Sequence, residues 1–322
     1  MSLARIGGLL ALCWLAVTTP VRAHDAEPQA WHEVWTIWND DWWLWVVVLA
    51  FGAWYARGVH VLWRQAGAGA GISRTRALAF ALGWLASVAA LLSPIDPLGG
   101  QLFSAHMVQH EILMLIAAPL LVVGRPIGAF LWGLPQRWRR SAWQACHRSG
   151  LQGFVRWLTT PTTAWLVHAI ALWGWHVPVL FDASIRSDLV HTAQHVSFFG
   201  TALAFWWALM RPGAGRETRG LATIYIVTTA MHTAALGALL TFAPRVWYSV
   251  YLETTPTWGI DALEDQRLGG LIMWVPAGFV YLGIALALFA AWLRDLSGRQ
   301  PEVGWQPKMS AAHTPESDRT MS

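Results

Sequence analysis

Two histidine pairs, His106 with His110 and His191 with His195, are each spaced by four residues inside long apolar runs. On a helix that spacing puts both imidazoles of a pair on one face, a turn apart. Neutral imidazole is the commonest protein ligand for transition metals and also moves protons near neutral pH. Ionisable groups inside membrane spans usually face the protein interior and carry function. His176 adds a fifth imidazole. At about 100° per residue, His106, His110, Met107 and Met114 share a sector of roughly 100°. Met273, on the last apolar run, supplies another thioether. Imidazole with thioether suits copper, since soft ligands select Cu(I) and imidazole accepts several metals. The expected ligand set is therefore His106, His110, His176, His191 and His195, with Met273 and Met114 as soft partners.

Three further residues are secondary candidates. Glu111 is a carboxylate within an apolar run, able to hold a histidine proton or to stay neutral. His232 lies nearer the middle of its run. Asp265 belongs to an acidic segment with Asp261 and Glu264 that would either attract cations to a histidine layer or form a solvated loop. His60, His147 and His168 read as hydrogen-bonded packing groups, and His32 and His313 as solvent-exposed ends. His24 could chelate Cu(II) with a free amino terminus if the chain is cleaved just before it.

The elements that must position these groups follow from composition. The 322 residues are 55% hydrophobic and 12% charged, and 24 are tryptophan. Soluble domains carry about 25% charged residues, and indoles gather at membrane interfaces. The net charge of +4 comes from arginines set between apolar runs, a pattern of orientation signals and not of a nucleic-acid surface. Residues 1–23 have the layout of a cleavable signal peptide, with Arg5, an apolar stretch and Val21-Arg22-Ala23; an uncleaved first span is the alternative. Removing Cys13 with the leader leaves Cys146 alone, so neither a disulfide nor a C-x-x-C motif is available.

Seven apolar segments follow, near 42–62, 77–93, 103–123, 162–180, 189–210, 220–242 and 268–293. Each approaches the length of about 20 residues that crosses a bilayer. The expected fold is an all-α polytopic membrane protein: a periplasmic segment at 24–41, a seven-helix domain at 42–295 and a disordered cytoplasmic tail at 296–322. With the mature N-terminus outside, 17 of the 20 remaining Lys and Arg fall on inner segments, as orientation by positive charge requires. At about 1.5 Å rise per residue, His106, His110, His176, His191 and His195 all lie within roughly 10 Å of the outer surface. Gly269-Gly270 would allow close helix approach at that depth. The basic, tryptophan-containing stretch 136–158 reads as an interfacial helix on the inner leaflet or an ordinary basic loop. No G-x-S-x-G, phosphate-binding glycine loop or H-E-x-x-H is present.

Several motifs together resemble the CtaG family of polytopic cytochrome c oxidase assembly factors. They are Ser93-Pro-Ile-Asp-Pro97, Ala105-His-Met-Val-Gln-His110, Trp175-His-Val-Pro178 with Phe181-Asp-Ala183, His191-Thr-Ala-Gln-His195 and Asp265-Gln-Arg-Leu-Gly-Gly-Leu-Ile-Met-Trp274. The similarity covers roughly residues 40–295. Glu111 departs from the family pattern, where an apolar residue is expected. The resemblance implies a bacterial inner-membrane protein, not an enzyme, that helps mature a caa-type haem–copper oxidase by placing copper, with oxidase subunits as partners. A b-type cytochrome using the paired histidines to ligate haem b is the competing class. A proton-coupled transporter would need repeats or broken-helix signatures that the chain does not show.

Overall fold

The computed structural model describes residues 34–148, 150–210 and 216–297. The leader expected at 1–23, His24, His32, His313 and the tail beyond 297 lie outside the described residues. Among those described there is helix and no strand. Five helices are long and apolar enough to cross a membrane: α1 (Trp42–Ala66), α2 (Arg74–Leu92), α4 (Phe103–Val123), and most of α11 (Arg216–Thr241) and α12 (Ala262–Ser297). A sixth is reached if α8 (Pro161–Trp175) and α9 (Pro178–Arg186), bent by 77°, count as one span. The remaining rod, α10 (Asp188–Leu209), has 22 residues, ample for a ~30 Å core. His191, Gln194 and His195 make it too polar to stand out as a span by composition.

Two boundaries differ from expectation. The fourth segment is not a straight span over 162–180. Helix α8 stops at Trp175, His176 caps it, and Val177 adopts extended backbone (ψ 125°). Pro178 is the cause, because a proline disfavours helical geometry in the residue before it. The last helix starts at Ala262 and not near 268, with Asp261 accepting hydrogen bonds from the amides of Leu263 (2.8 Å) and Glu264 (3.4 Å). That N-cap brings Glu264 and Asp265 onto the helix. The basic stretch forms two helices, α6 (Gln136–Arg148) and α7 (Leu151–Leu158), hinged at Gly150 with a φ of 69°. Short α3 (Ile95–Gly99) and α5 (Pro126–Gly133) complete the set.

Helix α4 is the axis of the bundle. Of its most apolar stretch, 61% is buried, against 22–33% in the other four long apolar helices. Its first turn is capped from a distant part of the chain. The Asp265 carboxylate of α12 accepts from the amides of Phe103 (2.6 Å) and Ser104 (3.2 Å) and from the Ser104 hydroxyl. These are donors that a helix start leaves without intrahelical partners, and a carboxylate there also suits the helix dipole. Close approach of α12 needs Gly269, where a Cβ would run into the Phe103 ring. On the next residue, a Cβ on Gly270 would lie 2.7 Å from the Thr241 amide of α11.

Halfway along, α4 changes its winding. Ile112–Ala117 form a π turn, in which the Ala118 amide bonds the Leu113 carbonyl. That bond takes away the α-helical partner of the Met114 carbonyl, and the π-type partner would be Pro119, which has no N–H. The Trp206 indole of α10 fills the gap, donating to the Met114 oxygen at 2.8 Å. A buried carbonyl left unpaired would cost about 1–3 kcal/mol, so this bond pins α4 to α10.

Candidate metal centre

Four imidazoles meet where the N-terminal ends of α4 and α10 face each other. Within α4, the rings of His106 and His110 have centroids 4.3 Å apart, and within α10 those of His191 and His195 are 4.2 Å apart. Across the two helices, His110 and His195 lie at 5.2 Å, His106 and His191 at 5.6 Å, and His106 and His195 at 6.1 Å. One nitrogen from each of His106, His191 and His195 can be chosen so that all three lie within 4.8 Å of one another. An ion with ~2.0–2.1 Å bonds to imidazole holds two donors at most about 4 Å apart. Closing this set on an ion therefore requires ring movements of about an ångström. The expectation that the two pairs converge agrees with this geometry.

The surroundings suit such a site. Burial is nearly complete for His106 and His110, at 0% and 2% exposure, and the α10 pair is partly buried. Both ring nitrogens of His110 and Nε2 of His195 are buried without hydrogen-bond partners. Such groups are costly inside a protein, and a metal ion is one way of satisfying them. Phe181 packs against His106 at 5.1 Å and Phe198 against His110 at 4.7 Å. Both rings belong to the main apolar core, so the cluster lies directly against it.

His176 flanks the cluster beside the same two phenylalanines, at 6.2 and 6.0 Å. Its Nδ1 sits 2.7 Å from the Leu172 carbonyl, which can only accept, so Nδ1 carries the proton and Nε2 the lone pair. That Nε2 is buried and unpartnered. A covering loop holds the site from outside. Tyr251 donates to the Gly99 carbonyl (2.7 Å), next to His106, and Tyr248 donates to the His176 carbonyl (3.1 Å). Burial pushes both phenols above their ordinary range, which keeps them protonated donors.

The other candidates separate from the cluster in different ways. Met114 and Met273 are buried in the main apolar core with Phe103 and Met107. Glu111 has a buried, unpartnered Oε2 and interacts with Tyr281. Asp265 is wholly buried and is the helix cap described above, not a rim that collects cations. His232 stands apart, beside Trp165 and His168.

Some residues at the site were not anticipated. Gln194 is wholly buried against His106, and its place within His191-Thr-Ala-Gln-His195 was an available signal. Gln109, also wholly buried, donates to Asp96 (2.6 Å) and to the Ala90 carbonyl (2.9 Å), while Asn39 donates to the other Asp96 oxygen (2.6 Å). This network explains the aspartate of Ser93-Pro-Ile-Asp-Pro97. It ties the residue before His110 to the end of α2.

Comparison with known proteins finds mycobacterial relatives and a family. Uncharacterised proteins of Mycobacterium bovis and Mycobacterium tuberculosis are each 27% identical to the chain over 265 residues, covering 77% of it and 38% of their own length. One from Mycobacterium leprae is 26% identical over 272 residues, covering 81% of the chain and 40% of its own. The chain thus spans about two-fifths of the length of the curated relatives it matches. No solved structure matches it. The family model of the cytochrome c oxidase caa3 assembly factor (Caa3_CtaG) matches residues 53–295, which takes in both histidine pairs, the Asp265 cap and every long helix except the start of α1 and the last two residues of α12. The chain belongs to the caa3 cytochrome c oxidase assembly factor family.

Proposed function

We propose that this assembly factor holds copper in the layer formed by His106, His110, His191 and His195 and passes it to an oxidase subunit, without catalysing a reaction itself. The observation that carries the reading is the convergence of two helix-borne imidazole pairs, with centroids between helices 5.2–6.1 Å apart. All four donors are neutral imidazoles and none is a thiolate. Such a set binds copper without the closed thiolate cage of a structural site, so the ion can be exchanged. His176 is a reserve donor at the edge of the layer. Met114 and Met273, buried in the apolar core, are not part of the layer.

In this reading the chain crosses the bacterial plasma membrane seven times, with α10 as the polar crossing and the kinked α8–α9 pair as another. A cleaved leader and the arginine distribution put the mature N-terminus in the periplasm and the C-terminus in the cytoplasm. The histidine layer then opens toward the side from which a periplasmic oxidase domain could be loaded.

The test is metal analysis of the purified wild type and of His110→Ala and His195→Ala, together with the copper content of the oxidase in cells carrying each variant. Copper should fall in both, while the factor stays folded. Full oxidase loading in both variants would defeat the copper reading. A strong Soret band in the purified wild type would favour haem b instead. A porphyrin must fit between its two axial rings, whereas here the rings of the two helices already lie against one another.

A further inference from the structure

The two helices that supply the histidine layer carry the same short pattern. His106-Met-Val-Gln109-His110 and His191-Thr-Ala-Gln194-His195 both read H-x-x-Q-H, and both glutamines are wholly buried. Their carboxamides differ in what they bond. Gln109 uses its side-chain nitrogen on the Ala90 carbonyl (2.9 Å) and on the Asp96 carboxylate (2.6 Å), and so belongs to the frame that holds α4. Neither the nitrogen nor the oxygen of Gln194 has a hydrogen-bond partner. Unpaired polar groups are costly inside a protein, and a leucine of similar size would avoid that cost. The Gln194 carboxamide therefore reads as one half of an interaction that is completed when the layer is filled.

Its position points to the other half. Gln194 lies between His191 and His195 on α10, and the His106 ring of α4 is in contact with the rings of both, at 5.6 and 6.1 Å. The Gln194 side chain is set against that same ring. A neutral imidazole has one lone pair and one N–H. When His106 gives its lone pair to an ion, its other nitrogen carries the proton and needs an acceptor. Both of its nitrogens are buried without one. Two groups with an acceptor oxygen stand beside the ring, the Gly99 carbonyl and the Gln194 carboxamide. The Gly99 oxygen already accepts from the Tyr251 hydroxyl (2.7 Å), whereas the Gln194 oxygen is unengaged. Metal-ligating histidines almost always give their second N–H to a group of this kind.

We infer that Gln194 is a positioning residue of the metal layer: its carboxamide oxygen accepts the His106 N–H when the layer closes, which fixes the tautomer that offers the other nitrogen to the ion and ties α10 to α4. This inference rests on the copper-holding role proposed for the layer. Closing the rings on an ion takes a movement of about an ångström, and the same movement completes the bond. Gln194 does not touch the ion; it acts through His106. The two glutamines thus divide the work, Gln109 bracing its own helix and Gln194 reaching across to the other.

The experiment titrates the full chain in detergent with Cu(I), under reducing conditions, against a competing chromogenic chelator. Wild type, Gln194→Leu and Gln109→Leu are compared. Gln194→Leu should weaken Cu(I) affinity by about 10–100-fold. Its apoprotein should melt at or above the wild-type temperature, because two unpaired polar groups have been removed. Gln109→Leu should instead lower the melting temperature, because Asp96 and the Ala90 carbonyl lose a donor. Nitrogen-15 spectra of the histidine rings give a readout that packing alone does not move, with His106 assigned through His106→Gln. Copper-loaded wild type should hold one slowly exchanging ring N–H on His106, and Gln194→Leu should lose it. Wild-type affinity in Gln194→Leu overturns the role of Gln194 and leaves the copper reading standing. Lost affinity with that N–H retained also overturns it, since His106 then has another acceptor. A wild type that binds no Cu(I) overturns both. If Gln194→Leu does not fold, the loaded wild-type spectrum decides, and a His106 ring without a protected N–H overturns the inference.

Discussion

The two sides of the outer histidine layer are built differently. The α4 side is held from four directions: Asp265 caps its first turn, Gln109 is tied to Asp96, Gly99 and Gly269 let neighbours approach its backbone, and Trp206 pins it lower down. The α10 side begins its helix at Asp188 without a side-chain cap, so His191 lies in the first turn. Its neighbours Leu189 and Val196 are 65% and 67% exposed. Helix ends open at lower free energy than helix middles in a packed core. One wall of the layer is thus preset and the other adjustable. In the copper reading proposed above, the ångström of closure that an ion needs would come from α10.

That contrast can be broken by mutation. The largest expected effect is on metal binding: His110→Ala removes a donor from the fixed wall and should weaken Cu(I) affinity by more than about 100-fold, beyond the 10–100-fold usual for an outer-shell partner. His195→Ala should cost less, about 10–100-fold, because the adjustable wall can move His191 closer to the two donors that remain on α4. Equal losses in a chelator competition would show that the walls do not differ. Next, Trp206→Phe leaves the Met114 carbonyl unpaired and should destabilise the protein by about 1–3 kcal/mol in thermal melts. Asp265→Asn keeps an acceptor but removes the charge at the start of α4, and should cost about 0.5–2 kcal/mol. A smaller effect concerns Tyr248 and Tyr251. Their folded pKa values are raised above the unfolded value of about 10, so their stabilisation is complete below that pH and declines above it. Melting temperature should therefore show no tyrosine-dependent change from about pH 7 to 9 and fall beyond about pH 10. In Tyr251→Phe that fall should be shallower.

The histidine pairs and most helix positions were legible because both depend on local spacing: four residues for a shared face, about 20 for a span. What escaped depends on contacts far apart in sequence. Asp265 looked like a loop acid because its partners, Phe103 and Ser104, are some 160 residues away. Pro178 was visible, and with it the bias of Val177 away from helix, yet the apolar run through Leu180 suggested a continuous rod. Helix α10 was legible as the apolar run near 189–210 even though His191, Gln194 and His195 lower its hydropathy. His168 looked like a packing group and His232 like a secondary candidate, and the fold sets His232 beside Trp165, away from the histidine cluster.

The π turn in α4 has a consequence for how this chain can change. It accommodates one more residue than an ordinary turn would. Deleting a single residue between Ile112 and Ala117 would let the segment relax to regular winding and rotate one end against the other by about 100°. With the lower end held by α2 and α10 and the upper end by Asp265 and the Gln109–Asp96 bond, the rotation would set these contacts against each other and turn His106 and His110 away from His191 and His195. A loss of one amino acid from this turn, outside both histidine pairs, would thus pull the histidine layer apart while leaving the surrounding helices in place.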